Sequence, residues 1–268
     1  MRRFSPAPPT AGWNSDYCTN CSGPLAAPGL YGAASGVRTQ GYGDEVFVKH
    51  IADHMHTVKY AATGGQKTLQ ELGFKYVNMD ASWDLPNRST TTGELVPDPK
   101  LWPSGLDHTV SYVHSLDLGF GLYGDRGTMD CARDPGQFGH EVQDGAWLGK
   151  HKIDWFKSDA CYAADRNVKP VSKGQAEAIA LYRKMGDAMN KSGYPIWYAL
   201  CGWMPFYAPV GKGLANSARI GPDTGGGWTA VLQNLEVRPA ARDLLTFCFV
   251  IGGRDLTMFL LCRRTLYR

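Results

Sequence analysis

The feature that most constrains this 268-residue chain is a strand-and-helix unit that recurs about every 40 residues. Four short β-type runs are residues 74–79, 119–123, 153–157 and 194–200. Each run ends at a side chain that can carry chemistry, in order Asp80, Asp125, Asp159 and Cys201. Predicted helices lie between them at 106–116, 137–150 and 174–190. This alternation is typical of a parallel βα fold.

The predicted helix at 174–190 has the clearest pattern. Its apolar residues recur at helical spacing, at Ala178, Leu181, Tyr182, Met185 and Met189. Ser172 is its predicted N-cap, Ser104 is the predicted N-cap of the helix at 106–116, and Gly193 is a predicted C-terminal stop.

Aspartates at the strand ends favour a (β/α)₈ TIM-type barrel, because the loops after the strands build the catalytic face of that fold. A doubly wound open sheet is the alternative, but no G-x-G-x-x-G follows any strand. About six of the eight βα units can be counted. We therefore expect a partial barrel at 1–237, incomplete at the C-terminus, and an atypical tail at 238–268. Residues 18–44, rich in Gly, Ala and Pro, are expected to form a long loop.

Composition excludes several classes of protein. The net charge is +3 and scattered, which argues against nucleic acid as a partner. No run of 18 apolar residues exists, which argues against a membrane span. The first residues lack the apolar core of a signal peptide. Seven cysteines and three N-x-S/T sequons nevertheless lean toward a secretory origin; the sequons are at Asn20, Asn87 and Asn190.

Two acids stand out by their context. Asp159 follows an aromatic strand two residues after Lys157, and Asp223 follows Arg219 and precedes a glycine run. Retaining glycoside hydrolysis needs two carboxyl groups about 5–5.5 Å apart, one to attack and one to protonate the leaving oxygen. Lys157 points to the same strand face as Asp159, where its charge would keep the carboxylate ionised or bind a sugar hydroxyl. Taken singly, a strand-end aspartate more often caps a helix or lies in a polar loop.

Several motifs become specific when they are taken together. In order they are the segments 8–15, 73–80, 102–106, 112–115, 121–123, 135–139 and 157–162, then Arg219 with Asp223. Their order and spacing resemble those of family 27 glycoside hydrolases, the α-galactosidases and α-N-acetylgalactosaminidases. The resemblance runs from about residue 8 to about residue 235.

The resemblance implies a role for each matching residue. Asp159 would be the nucleophile and Asp223 the general acid and then the base. The implied substrate-binding residues are Trp13, Asp80, Tyr123, Lys157 and Arg219. Cys131 and Cys161 would form a disulfide. It also implies a carbohydrate substrate, no cofactor, a homodimer, and a secreted or lysosomal or vacuolar location.

Alternatives remain for these residues. Trp13 and Tyr123 are also compatible with plain barrel core, and Arg219 with a simple ion pair. Cys131 and Cys161 would be unpaired thiols if the chain were made in the cytosol.

The chain departs from the family at positions that contact the sugar. Ala81 and Ser82 stand where the family has Asp and Cys, Asp16 where it has Trp, and Gly202 where it has Glu. Losing such contacts is expected to relax specificity for galactose. The family's Pro-Gly-Gly-Trp segment, last barrel strand and C-terminal β domain are not found.

The departures also change the expected cysteine pairing. Cys18 and Cys21 are left as a C-x-x-C, for which a local disulfide or free thiols are more usual than a metal site. Cys201 has no evident partner unless Cys248 or Cys262 supplies one.

The sequence therefore predicts a retaining exo-α-glycosidase that removes terminal α-galactoside-like residues. We expect poor solubility or low activity if the barrel is open. The alternative is a truncated, catalytically impaired relative that at most binds carbohydrate. A nucleotide-dependent α/β enzyme is disfavoured, because no glycine loop that cradles phosphate is found.

Overall fold

A computed structural model describes residues 43–169, 171–201, 210 and 213–219 with their side chains. Of 11–14, 248–251 and 259–262 it describes the backbone. Predictions for Asp16, Gly202 and Asp223, and for the loop before Gly43, lie outside the described residues.

The described elements alternate between strands and helices. In chain order they are β1 (Ala11–Asn14), α1 (Glu45–Thr57), β2 (Lys59–Ala62), β3 (Gly65–Thr68), β4 (Phe74–Asn78), α2 (Leu106–Ser115), β5 (Gly119–Asp125), α3 (Glu141–Lys150), β6 (Trp155–Asp159), a 3₁₀ helix (Ala164–Asn167), α4 (Val171–Lys191), β7 (Trp197–Leu200), β8 (Ser217–Ala218), β9 (Cys248–Ile251) and β10 (Phe259–Cys262).

Six strands form one sheet in the order β1-β4-β5-β6-β7-β8, and every neighbouring pair is parallel. Helices α2, α3 and α4 connect β4 to β5, β5 to β6 and β6 to β7. Two antiparallel pairs, β2 with β3 and β9 with β10, lie outside this sheet. The sheet confirms the predicted parallel βα fold and has the connectivity of a TIM-type barrel wall.

The core lies between the sheet and its helices. On the helix side, Tyr182 and Met185 of α4 are buried against Phe156 and Tyr198 of the sheet. The rings of Phe156 and Tyr198 stack at 6.4 Å, and Tyr182 meets Tyr198 edge-on. The helical spacing predicted for α4 is confirmed, since the five apolar residues that defined it are buried or half-buried. No helix in the described parts of the chain is both long and apolar enough to span a bilayer.

Two predicted N-caps are wrong. The residue before α2 is Gly105, at φ 91°, and no side chain caps the helix. Ser104 instead donates its backbone N–H and its hydroxyl to the Glu45 carboxylate, both at 2.9 Å. Ser172 lies inside α4, which already includes Val171. Gly193 has φ 78°, the left-handed conformation expected after a helix.

Helix α1 was not among the predicted helices, although its signals are local. The Asp44 carboxylate accepts the N–H of Phe47 at 2.9 Å, an N-cap bond. The buried residues then follow at helical spacing, at Phe47, Val48, Ile51, Ala52 and Met55.

Asp154, the residue before β6, fixes the N-terminal end of that strand, the end opposite Asp159. Asp154 accepts the N–H of Phe120 at 2.8 Å and the hydroxyl of Tyr194 at 2.7 Å. His114 Nε2 lies 2.6 Å from the same carboxylate. Asp154 is thus a structural carboxylate, five residues before the strand's last residue.

Candidate active site

Three aspartates meet where β4, β5 and β6 end. Asp80, Asp125 and Asp159 are 4%, 0% and 3% exposed. The parallel register places Asp125 beside Asp159 and Tyr123 beside Lys157. Because side chains alternate along a strand, all four of these side chains point to one face of the sheet. The predicted gathering of strand-end aspartates is confirmed.

Asp159 is held from several directions. Its carboxylate accepts the N–H of Ala160 at 2.8 Å and the Tyr123 hydroxyl at 3.4 Å. Burial raises the pKa of Asp159, and the charge of Asp80 adds to that rise. The Lys157 charge, the Ala160 N–H and a hydrogen bond from the Cys201 thiol act in the opposite direction on this pKa. The result is a poorly hydrated carboxylate in a fixed orientation.

Among the described residues, Lys157 donates a hydrogen bond to Asp80. The ammonium lies 2.8 Å from an Asp80 oxygen and 4.8 Å from the centre of the Tyr123 ring. Its charge still counteracts the rise in the Asp159 pKa, as the sequence predicted. Asp80, Tyr123 and Lys157 therefore form one wall beside Asp159.

The disulfide between Cys131 and Cys161 is present, with Cα atoms 5.1 Å apart. The Tyr123 oxygen lies 2.9 Å from the Cys131 sulfur, so its single hydroxyl hydrogen is shared between that sulfur and the Asp159 carboxylate. Carboxylate oxygens of Asp125 and Asp159 and the two sulfur atoms all lie within 4.8 Å of one another. Because the sulfurs are bonded to each other, this cluster lacks the thiolate ligands that a soft metal prefers. The predicted pairing is confirmed, and the free-thiol alternative is wrong.

Asp125 is a site residue that the sequence prediction did not assign. Its two oxygens accept the N–H groups of Gly127 and Cys161, each at 2.6 Å. Burial raises the pKa of Asp125 to about 7; the two N–H bonds and Arg126 limit that rise, while Asp159 adds to it. Its position at the end of a predicted strand was the sequence signal that could have identified Asp125 as a site residue.

Arg219 follows β8 and reaches the end of the neighbouring strand. Its N–H donates to the Leu200 carbonyl at 2.8 Å, and its guanidinium donates to the Cys201 sulfur at 3.4 Å. Cys201 is a free, buried cysteine, in agreement with the lack of an evident partner for it in the sequence. Burial raises the pKa of the Cys201 thiol to about 12, which keeps it protonated beside Asp159.

Other predicted positions are described in part. The backbone of Trp13 lies in β1 beside Val77, at the sheet edge next to β4, while its side chain lies outside the described residues. Ala81 is buried. Ser82 has φ 69°, and its buried hydroxyl has no hydrogen-bond partner among the described residues.

A second group of buried acids was also not predicted. Asp84, Asp130 and Asp134 are 4%, 3% and 1% exposed. One Asp130 oxygen accepts the N–H groups of Ala132 and Asp134, both at 2.8 Å. Burial raises the pKa of Asp84 well above its usual range, and the charges of Asp134 and Asp130 add to it. Burial likewise raises the pKa of Asp130 to about 6.

Asp130→Asn is expected to stabilise the protein at pH 8 and to have little effect at pH 4. The folded protein binds a proton on Asp130 more tightly than the unfolded chain, where the pKa is 3.8. Stability is therefore lost as pH rises from about 4 to about 6, because the unfolded state binds fewer protons there. A pKa shift of this size lowers the free energy of unfolding at pH 8 by about 2 to 3 kcal/mol. Asparagine avoids this loss and retains an oxygen for the N–H groups of Ala132 and Asp134. Urea unfolding at both pH values measures the difference; equal effects at pH 4 and pH 8 would contradict it.

A buried ion pair holds the loops around these acids. Arg88 donates to both oxygens of Asp144 on α3, each at 2.7 Å. The same guanidinium donates to the carbonyls of Gly93 at 3.1 Å and Gly136 at 2.8 Å. Arg88 thereby ties the loop after β4 to α3 and to the segment that follows the disulfide cysteine Cys131.

Comparison with known proteins gives a consistent result. The family model described as Alpha galactosidase A matches residues 44–224. The α-galactosidase of Saccharomyces mikatae is 36% identical over 158 residues, which is 58% of this chain and 32% of that protein. The α-galactosidase of Torulaspora delbrueckii is also 36% identical, over 58% of this chain and 31% of its own length. The chain thus spans about a third of the length of these curated relatives.

Solved structures agree with the family match. The α-galactosidase of Saccharomyces cerevisiae with raffinose has a TM-score of 0.62 and 26% identity, covering 81% of this chain and 40% of that one. α-Galactosidase I of Mortierella vinacea has a TM-score of 0.63 and 25% identity, covering 94% and 51%. The residues matched by the family model include most of the described sheet. The chain therefore belongs to the alpha galactosidase A family, family 27 of the glycoside hydrolases.

Proposed function

We propose that this chain carries the nucleophile of a retaining exo-α-glycosidase that removes terminal α-galactoside-like residues. The observation that carries the proposal is the Asp159 carboxylate. It is buried at the end of β6, hydrogen-bonded to Ala160 and Tyr123, and flanked by the Lys157–Asp80 pair. The assignment to family 27 supports the reaction type.

In the proposed mechanism, Asp159 attacks the anomeric carbon while Asp223 donates a proton to the leaving glycosidic oxygen. A covalent glycosyl ester on Asp159 results. Asp223 then removes a proton from water, which attacks the same carbon and releases Asp159 and the sugar. A poorly hydrated carboxylate suits the first step, because little water has to be displaced from it.

The wall beside Asp159 supports the proposed sugar contacts. Lys157 and Asp80 offer a donor and acceptors for sugar hydroxyls, and Tyr123 adds a ring at the same place. Arg219, which reaches the end of β7, is proposed to bind a further hydroxyl. The Saccharomyces cerevisiae relative was solved with raffinose, so raffinose-type α-galactosides are the first substrates to test.

Ala81 favours a second candidate function, carbohydrate binding without turnover. It is a buried alanine directly after Asp80, so it provides no polar group next to the carboxylate that binds Lys157. A site with fewer polar groups holds a sugar less specifically.

A mechanism-based α-galactoside inactivator distinguishes the two functions. With the proposed nucleophile, the label forms an ester on Asp159 and peptide mapping locates it on the segment from Lys157 to Tyr162. Asp154→Asn, altered at the other end of β6, serves as the control and should label like the wild-type chain. Binding of raffinose without any label would favour the second function, and a label on another carboxylate would refute the assignment of Asp159.

We also propose that the protein folds in an oxidising compartment, secreted or lysosomal or vacuolar. The Cys131–Cys161 disulfide supports this, because disulfides persist where thiols are not kept reduced. Thiol alkylation of protein from its natural source, followed by mass mapping of both cysteines, tests the proposal.

A further inference from the structure

Asp125 is a buried carboxylate that the proposed mechanism does not use. It lies on β5, directly beside Asp159 in the parallel register. It is 0% exposed, whereas carboxylates are rarely fully buried unless something binds them. Its hydrogen-bond partners among the described residues are two backbone N–H groups.

These partners belong to the segments that surround the nucleophile. One Asp125 oxygen accepts the Gly127 N–H and the other accepts the Cys161 N–H, each at 2.6 Å. Cys161 lies two residues after Asp159 and forms the disulfide that receives the Tyr123 hydroxyl. On the other side, the Arg126 N–H donates to the Asp159 carbonyl at 3.0 Å. The residues at the end of β5 therefore hold two backbone groups that follow the Asp159 side chain, the Asp159 carbonyl and the Cys161 N–H.

We propose that Asp125 is a positioning residue, which holds the Cys161 segment so that the Asp159 carboxylate keeps its attacking orientation. The inference rests on the proposed function of Asp159. Asparagine at position 125 presents only one acceptor oxygen, so its amide group would face one of the two N–H groups with a donor. The segment at Gly127 or Cys161 then has to move.

Asp125 and Asp159 also interact through charge. The charged groups near Asp125 are Asp159 on β6 and Arg126 in its own loop, and Arg126 in turn is paired with Asp165 of the 3₁₀ helix. Tyr123, on the same strand, is neutral because burial raises its pKa far above the usual value. Removing the Asp159 charge is therefore expected to make Asp125 ionise more readily.

The first test compares Asp125→Asn with Asp154→Asn, a carboxylate at the opposite end of β6 that accepts one backbone N–H, from Phe120, and the Tyr194 hydroxyl. Asp125→Asn should lower kcat for an aryl α-galactoside about 10- to 100-fold while KM changes less than about threefold, because a misplaced nucleophile slows the chemical step. Asp154→Asn should leave both constants near the wild-type values. Equal kcat values in Asp125→Asn and the wild-type chain would overturn the inference.

The second test does not need turnover. Carbon-13 NMR of the aspartate carboxyls should show Asp125 titrating near pH 7 in the wild-type chain. In Asp159→Asn its midpoint should fall by about one pH unit, whereas in Asp154→Asn it should not move. An unchanged midpoint in Asp159→Asn would contradict the close placement of the two carboxylates on which the inference rests, even if Asp125→Asn fails to fold. Absence of hydrolysis in a wild-type chain that shows the coupling would instead refute the proposed function alone.

Discussion

Asp159→Asn is expected to lower kcat/KM for α-galactosides by about 10⁴-fold or more, the range seen when a catalytic nucleophile is removed. An amide oxygen is a far weaker nucleophile than a carboxylate, so the glycosyl ester does not form. Asparagine retains an oxygen for the Ala160 N–H, and its amide NH₂ then faces the Tyr123 hydroxyl oxygen, which can accept a hydrogen bond from it. The measurement is initial-rate hydrolysis of an aryl α-galactoside, with Asp154→Asn as the control.

The stability of the same variant separates lost chemistry from lost folding. Burial raises the pKa of Asp159 above its usual value, so the folded protein carries a disfavoured charge at neutral pH. A neutral asparagine removes this cost, and the variant should unfold at an equal or higher temperature than the wild-type chain at pH 7. The difference should vanish at low pH, where Asp159 is protonated in both states. An inactive variant that is less stable at pH 7 would not establish the nucleophile, and more than a tenth of wild-type activity would refute it.

Arg88→Met is expected to destabilise the protein by about 3 to 5 kcal/mol, the cost of leaving a buried charge without its partner. Asp144 is 1% exposed in its side chain and loses both guanidinium bonds. The carbonyls of Gly93 and Gly136 lose a donor at the same time. Equilibrium unfolding in urea at pH 7 measures the loss.

Two further variants test the reason for this loss. Lys184→Met breaks the ion pair with Glu141 on the same helix as Asp144, but the lysine side chain is 50% exposed. Glu141 is itself only 2% exposed, but water reaches the lysine and can replace part of its contact, so this variant should cost less than Arg88→Met. The double variant Arg88→Met with Asp144→Leu removes both charges and should recover much of the lost stability. A double variant as unstable as Arg88→Met alone would mean that the carbonyl contacts, not the unpaired carboxylate, carry the cost.

The buried acids outside the proposed mechanism could not be predicted from the sequence. Asp84, Asp130 and Asp134 occupy polar, loop-like sequence in which exposed aspartates are common. They lie in segments that are held by the Arg88–Asp144 pair, whose residues are 56 positions apart in the chain, and by the shorter-range bridges Asp84–Pro97 and Met129–Pro135. No local pattern reports a contact of that kind. The same holds for Ser104, whose expected capping role gave way to a bond with Glu45, 59 residues earlier.

The sequence by itself determined the parallel βα order and the meeting of Asp80, Asp125 and Asp159 at the strand ends. Both follow from local periodicity, because a strand that alternates every second residue sends Lys157 and Asp159 to one face. The Cys131–Cys161 pair came from family resemblance and is confirmed by the structure. Tertiary structure alone decided that Lys157 binds Asp80, that Cys201 stays a thiol beside Asp159, and that Asp125 accepts the Cys161 N–H. Each of these contacts depends on the burial of a carboxylate and on the donors that replace its water. Both are set by packing between segments that are distant in sequence, so no local pattern predicts them.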